Sequence, residues 1–225
     1  MSDMLPLFPL STVLFPGMRL PLHVFEERYR TLVAELLAGP EPRQFGVIAI
    51  RSGREVGAAG VAALHEVGCV AVLRQVAAHA DGRYDLQTVG TERFRLASID
   101  RSGPYLRGEV ELLPDGVAEP GAAAAAAAVV RQVQAGFRAY LNALADQGGG
   151  VISVADLPDE PVLLSYVIGA AMIIDLPERQ SLLAAPDALS RLRLERSLLI
   201  RETAILRATT SRPAPDYAHE QFSPN

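Results

Sequence analysis

The first half of the chain places apolar and polar residues in short alternating runs, separated by turn residues. From Tyr105 to Leu112, the apolar Leu106 and Val110 fall on one face and charged residues on the other, which is the period of a half-buried strand. Asp81-Gly82 separates two further apolar runs and is typical of a tight hairpin turn. Runs this short, repeated about every ten residues, favour a small barrel or folded sheet.

The N-terminal segment combines extended chain with one helix. Four prolines between residues 5 and 24 exclude a helix there and favour short strands joined by a turn at Pro16-Gly17. The period then changes to that of an amphipathic helix, which Gly39-Pro40 ends. Its apolar positions are Phe25, Tyr29, Leu32, Val33 and Leu36.

The second half of the chain is predicted to be helical. The alanine run Ala122 to Ala128 opens a long helix that ends at the glycines 148–150. The segment from Pro161 to Ile174 is apolar nearly all round and is predicted to form the buried centre of a bundle. Asp187 has the residue type of an N-cap and begins the last helix, whose leucine stripe is expected to pack inside the bundle.

These patterns predict an α+β protein. A β-rich part spans residues 1–115, and a helical bundle spans residues 122–207, with a linker rich in Pro, Gly and acid between them. Residues 208–225 contain three prolines and few aliphatic residues, so they are predicted to be a disordered tail.

Composition narrows the possible chemistry. All 21 basic residues are arginine, so the sequence contains no phosphate-binding P-loop lysine, Ser-Lys dyad or Schiff-base lysine. The net charge of −5 disfavours a nucleic-acid partner. The longest apolar stretch, from Val162 to Ile174, is shorter than the roughly 20 residues of a membrane helix. With no secretory signal, these features predict a soluble, cytoplasmic protein without a bound cofactor.

The residues that often carry chemistry form no recognisable motif along the sequence. None of the four histidines, His23, His65, His79 and His219, pairs with another at the sequence spacing of metal ligands, so each is expected to be structural or at the surface. Cys69, the single cysteine, lies in an apolar run and is expected to be a buried small hydrophobe. We therefore predict no metal site, no catalytic residue and no enzymatic activity.

Several motifs, in order and at matching spacing over roughly residues 4 to 207, resemble the N-terminal substrate-binding domain of Lon protease. They include Pro6-Leu-Phe-Pro-Leu10, Phe15-Pro-Gly17, Pro21-Leu-His-Val-Phe-Glu-Glu-Arg-Tyr29, Gly46-Val47, Val67-Gly-Cys69, Asp81-Gly-Arg-Tyr84, Gly90-Thr-Glu-Arg-Phe94, Gln180-Ser-Leu-Leu183, Asp187 and Arg191-Leu192.

The resemblance implies a PUA-like pseudobarrel followed by a helical bundle. In full-length Lon this region helps to recognise unfolded or tagged substrates, and the ATPase and peptidase modules follow it. The resemblance therefore implies a non-catalytic module that binds unfolded or extended polypeptide. An adaptor or regulator in protein quality control, with a protease or chaperone as a further partner, fits this function.

One segment, Phe15 to Tyr29, is the candidate binding surface. Met18, Glu27 and Arg28 are predicted to be exposed and to rim a surface for extended polypeptide, because Met is flexible and polarisable and the charges can orient a client. In the alternative interpretation the segment is a barrel lid whose Phe25 and Tyr29 fill the core.

Two rival functions stay open at this point. PUA-like folds can hold RNA, and the cluster Arg93, Arg95, Arg101 and Arg107 favours that function mildly. A small-molecule site between the two halves is the other rival, although it requires convergent polar groups that the sequence does not show.

Overall fold

The computed structural model of the chain describes residues 3–53, 61–115, 123–148 and 156–210. Seven strands precede four long or medium helices, and a further helix lies between the second and third strands. The strands are β1 (Asp3–Leu10), β2 (Arg19–Val24), β3 (Gln44–Gly53), β4 (Val61–Leu64), β5 (Val67–Ala78), β6 (Tyr84–Asp100) and β7 (Arg107–Leu113). The helices are α1 (Glu27–Ala38), α2 (Ala123–Gly148), α3 (Pro161–Ala171), α4 (Leu176–Ala184) and α5 (Ala188–Thr210).

Five of the strands close into a barrel. The ring runs β1, β7, β6, β5 and β3, and it closes because β1 also pairs with β3 in parallel, with Leu7 opposite Gly46. The other pairs of the ring are antiparallel. Strands β2 and β4 extend the barrel by pairing with β6 and β3 respectively. The predicted α+β class, with a β-rich pseudobarrel before a helical part, is confirmed.

Strand β6 is longer than its sequence suggests. The sequence indicates separate strands before and after Gly90, whereas the structure has one strand of 17 residues. Its first part pairs with β2, its second part pairs with β7, and β5 pairs with both parts. At Gly90 the strand passes very close to the backbone of Phe15. A Cβ at this position would lie 2.3 Å from the carbonyl oxygen of Phe15, so the close approach requires glycine.

The helices begin where the sequence places acidic caps. The Glu160 carboxylate accepts hydrogen bonds from the backbone N–H groups of Val162 and Leu163 at the start of α3. Asp187 accepts from the Ser190 N–H at 2.8 Å, which confirms the predicted N-cap of α5. That helix continues to Thr210, three residues into the predicted tail, and the rest of the tail, residues 211–225, lies outside the described residues.

The prediction that the segment from Pro161 to Ile174 forms the buried centre of the bundle holds for one of its faces only. Helix α3 ends at Ala171, and one of its faces is open to solvent, with Leu163 50% and Val167 38% exposed. The opposite face, which includes Leu164 and Ile168, is buried against α2 and α5. The segment is apolar on both faces, so hydrophobic content alone could not distinguish the packed side from the open one.

One apolar cluster bridges the barrel and the helices. Phe15 is fully buried at this junction, and the Gln180 side chain of α4 donates a 2.9 Å hydrogen bond to the Val67 carbonyl of β5. The β-rich part and the helical part therefore share this cluster in addition to the clusters that each part has of its own. The apolar residues of the shared cluster are Val13, Phe15, Ala49, Val67, Tyr166, Leu182 and Leu183.

A buried ion network lies at the same junction. One oxygen of Asp115 accepts from Arg93 at 2.9 Å and from Arg191 at 3.1 Å, and the other accepts from the Tyr166 hydroxyl at 2.5 Å. Arg93 also donates to two carbonyls near the end of α4, and Arg191 lies 4.1 Å over the Tyr166 ring. Both guanidinium groups are almost inaccessible to water. The Asp115 carboxylate therefore has to balance their charge inside the protein.

Candidate functional site

A small apolar cavity lies between β1, β2 and the beginning of α1. Its volume is about 180 Å³. A cavity of roughly 150 Å³ is large enough to bind benzene, so this one can take one large apolar side chain. The residues that line it are Phe8, Leu10, Pro21, Leu22, His23, Val24, Phe25, Glu26 and Tyr29.

The floor of this cavity is held by aromatic packing. Tyr29, the third residue of α1, is buried and stacks on Phe8 of β1 with ring centroids 4.1 Å apart. Phe8 in turn packs against Phe45 at 5.7 Å. The floor is therefore a rigid part of the barrel core, which favours a preformed site over one that must be assembled by a ligand.

Phe25 forms the rim of the cavity. It is 50% exposed, and its ring lies 6.3 Å from that of His23. The alternative interpretation, in which Phe25 and Tyr29 both fill the core, is right for Tyr29 and wrong for Phe25. The reason is that α1 begins at Glu27, after an extended Glu26, so Phe25 does not share the buried face of the helix.

The backbone of β2 limits how a chain could add to this strand. Gly90 donates to the Met18 carbonyl, and hydrogen-bonded pairs alternate along an antiparallel ladder. It follows that Arg19, Pro21 and His23 direct their backbone groups away from β6. Pro21, at the middle of this edge, has no N–H, so side-chain contacts rather than strand addition are the main means of recognition available here.

The three residues singled out from the sequence differ in exposure. Glu27 is exposed in the first turn of α1, whereas Met18 and Arg28 are half-buried. Met18 packs against the barrel core and the shared cluster. Arg28 forms an ion pair with Glu26 at 2.9 Å and lies 4.6 Å over the Tyr29 ring. Arg28 and Glu26 therefore border the cavity floor, while Met18 has a more structural environment than predicted.

The structure joins two histidines that the sequence left separate. His23 Nδ1 lies 2.6 Å from one carboxylate oxygen of Asp85, and His79 Nε2 lies 2.7 Å from the other. These hydrogen bonds lower the pKa of the Asp85 carboxyl, so it stays anionic. His23 and Asp85 are 62 residues apart, and only the register of β2 against β6 brings them together, so sequence spacing could not reveal the cluster.

The other chemically reactive candidates are structural. Cys69 is fully buried, and burial raises the pKa of its thiol to about 12, so the thiolate needed for nucleophilic chemistry does not form near neutral pH. His65 is half-buried, and burial lowers its pKa. His219 lies outside the described residues.

The proposed arginine cluster for RNA is divided by the fold. Arg93 is 2% exposed and is engaged by Asp115, so it is not available to a phosphate. Arg95, Arg101 and Arg107 are exposed. Arg107 lies over the Tyr105 ring at 5.7 Å. The RNA-binding alternative therefore lacks its four-arginine patch, and the acidic net charge of the chain also disfavours it.

A second concave region lies along β5. It has a volume of about 620 Å³ and includes the charged or polar side chains of Glu41, Arg43, Arg74 and Gln75 in its lining. A wide polar groove is a poorer match for apolar side chains than the cavity beside Phe25. The junction between barrel and helices, where the small-molecule rival would place its site, is occupied by the shared core and the Asp115 network.

The fold is thus a closed small barrel joined to a helical bundle, with a cavity at the β2–α1 corner. The chain belongs to the family of the ATP-dependent protease La (LON) substrate-binding domain, whose family model matches residues 4–201.

None of the helices in the described ranges is both long and apolar enough to span a bilayer.

Relatives with similar sequences are Lon proteases. Lon protease 2 of Syntrophobacter fumaroxidans is 29% identical over 190 residues, which are 83% of this chain and 23% of that protein. Lon protease of Paraburkholderia phytofirmans is 32% identical over 81% of this chain and 22% of its own length. The chain thus spans about a quarter of the length of these relatives.

Solved structures agree with this assignment. The Lon N-terminal domain protein from Xanthomonas campestris has a TM-score of 0.57 and 25% identity, covering 88% of this chain and 98% of that chain. The N-terminal domain of Mycobacterium avium complex Lon protease has a TM-score of 0.60 at 20% identity, covering 90% and 98%. The second of these supports the fold alone.

Proposed function

We propose that this chain is a non-catalytic binding module for unfolded or extended polypeptide. Its family is described as a substrate-binding domain, and the substrates of a protease are polypeptides. The observation that carries the proposal is the cavity of about 180 Å³ between β1 and β2, with the half-exposed Phe25 at its rim. An apolar client side chain enters the cavity, and Phe25 covers it.

The physical basis of this recognition is burial of apolar area in a preformed site. Unfolded chains expose Leu, Phe and similar side chains that folded proteins bury, so a cavity of this size selects for the unfolded state without reading a particular sequence. Glu26, Glu27 and Arg28 provide a charged rim beside the apolar floor. Such a rim orients a client more than it adds affinity.

The finer role within protein quality control is also part of the proposal. A module of this kind can hold a client for a protease or chaperone, acting as an adaptor or regulator. The helical half supports the barrel through the shared core around Phe15.

The test compares variants of the full chain in binding a fluorescent, permanently unfolded polypeptide, followed by anisotropy. Phe25→Ala should weaken binding about tenfold, or about 1.4 kcal/mol, because the proposal makes its ring one of the few side chains that carry most of the binding energy. The Glu27→Ala/Arg28→Ala double variant should weaken it less, through loss of the rim charges, with an unchanged melting temperature.

Ile200→Ala is the matched control for this experiment. Ile200 is 63% exposed on α5, so its truncation removes a comparable exposed apolar side chain far along the chain from the cavity. Its affinity should equal that of the unmodified chain. Equal losses in the Phe25 and Ile200 variants would mean that general surface hydrophobicity, and not the cavity, binds the client.

A further inference from the structure

We propose that His23, His79 and Asp85 form a binding site for a transition-metal dication such as Zn²⁺. This site shares His23 with the lining of the polypeptide cavity, and it goes beyond the proposed function. Each residue offers one ligand atom, and the three atoms lie within 4.8 Å of one another. Imidazole nitrogen and carboxylate oxygen are the ligand types that Zn²⁺ accepts together in proteins.

The backbone holds these three side chains in place. His23 of β2 and Asp85 of β6 are direct partners in the antiparallel register. His79 follows the end of β5 in the hairpin that leads to β6, where its N–H donates to the Arg83 carbonyl and its own carbonyl accepts from Gly82, both at 2.9 Å. Two paired strand positions and the adjacent hairpin therefore present the ligands, so little ordering of the backbone is required on binding.

The three ligand atoms already face one another, within 4.8 Å. His23 Nδ1 and His79 Nε2 face different oxygens of the same carboxylate, at 2.6 and 2.7 Å. Tetrahedral ligands at 2.0–2.2 Å from zinc are roughly 3.3 Å apart. The side chains are about half exposed, so they can adjust to this separation when the metal replaces the shared protons. Water can supply the remaining coordination position.

A bound metal would clamp β2 to the β5–β6 hairpin. Within the described residues the strand partner of β2 is β6, so a second attachment through His79 would stabilise this strand. His23 also stacks on Phe25, which places the metal beside the rim of the cavity. Because binding of a ligand to the native state alone stabilises that state, Zn²⁺ should raise the melting temperature.

The test uses the full chain without a histidine tag, treated with EDTA and then titrated with ZnCl₂ in a calorimeter. One saturable site per chain is expected. His79→Ala and Asp85→Asn should each lower the affinity at least about tenfold, since even the outer groups of metal sites contribute that much. ZnCl₂ should raise the melting temperature of the unmodified chain and not that of the His79 variant.

The matched controls remove histidines elsewhere. His65→Ala and His219→Ala should bind Zn²⁺ as the unmodified chain does, and circular dichroism in EDTA should show all variants folded. Absence of saturable binding, unchanged affinity in both His79→Ala and Asp85→Asn, or loss of binding in His219→Ala would each overturn the proposal. None of these results depends on polypeptide binding, so the two proposals can fail separately.

Discussion

Phe15→Ala should lower the free energy of unfolding by about 3–5 kcal/mol, which is the usual cost of truncating a fully buried phenylalanine. Phe15 is 0% exposed and lies in the cluster shared by the barrel and the helices. Its ring also contacts Arg179, whose guanidinium carbon lies 5.4 Å from the ring centroid. A cavity at this position therefore weakens the contact between both halves, and denaturant unfolding followed by circular dichroism would measure the loss.

Phe25→Ala is the control within the same residue type. Phe25 is 50% exposed, so the same truncation leaves no cavity in the core and should change stability much less. Because the halves share the Phe15 cluster, both variants should unfold in one transition. Two separate transitions in the unmodified chain would contradict a shared core.

Asp115→Ala should be the second strongly destabilising change, by about 3 kcal/mol. The substitution leaves the buried guanidinium groups of Arg93 and Arg191 without their common anion. Removing one partner of a buried ion pair typically costs about 3–5 kcal/mol, and the lower end applies because Asp115 is itself 19% exposed and water can partly replace it. Chemical denaturation at neutral pH would measure this cost.

Asp81→Ala provides the matched control for the charge effect. Asp81 also pairs with an arginine, Arg83, at 2.5 Å, but both side chains are about half exposed. Solvent and salt screen such a pair, so its loss should change the stability far less than the loss of Asp115. Equal effects of the two substitutions would show that burial of the Asp115 network does not determine its contribution.

The sequence predicts the fold class because the local periods differ between the two halves. The alternation around Val110 indicates a strand, and the alanine run of α2 indicates a helix. The cap at Asp187 follows from residue type alone. The parallel pairing of β1 with β3, which closes the barrel, depends on contacts distant in sequence and leaves no local pattern.

The candidate site was less accessible to sequence reasoning. The segment Phe15 to Tyr29 could be chosen from its composition, but Phe25 continues the helical stripe of Tyr29, so the pattern placed it in the core. Its exposure arises because α1 starts two residues later, at Glu27. The pairing of His23 with His79 through Asp85 depends on the register of β2 against β6. The burial of Arg93 depends on the docking of α4. The spacing of these residues along the sequence reveals neither.

The most direct test of the central claim locates the bound polypeptide. An unfolded peptide that carries a photoreactive phenylalanine analogue is bound to the full chain, irradiated and analysed by mass spectrometry. Cross-links to Leu22, Phe25 or Tyr29, suppressed by excess unlabelled peptide, are the result expected for a client side chain in the cavity. Cross-links that excess peptide also suppresses, but that lie only on the exposed face of α3 or in the groove along β5, would contradict this account of the site.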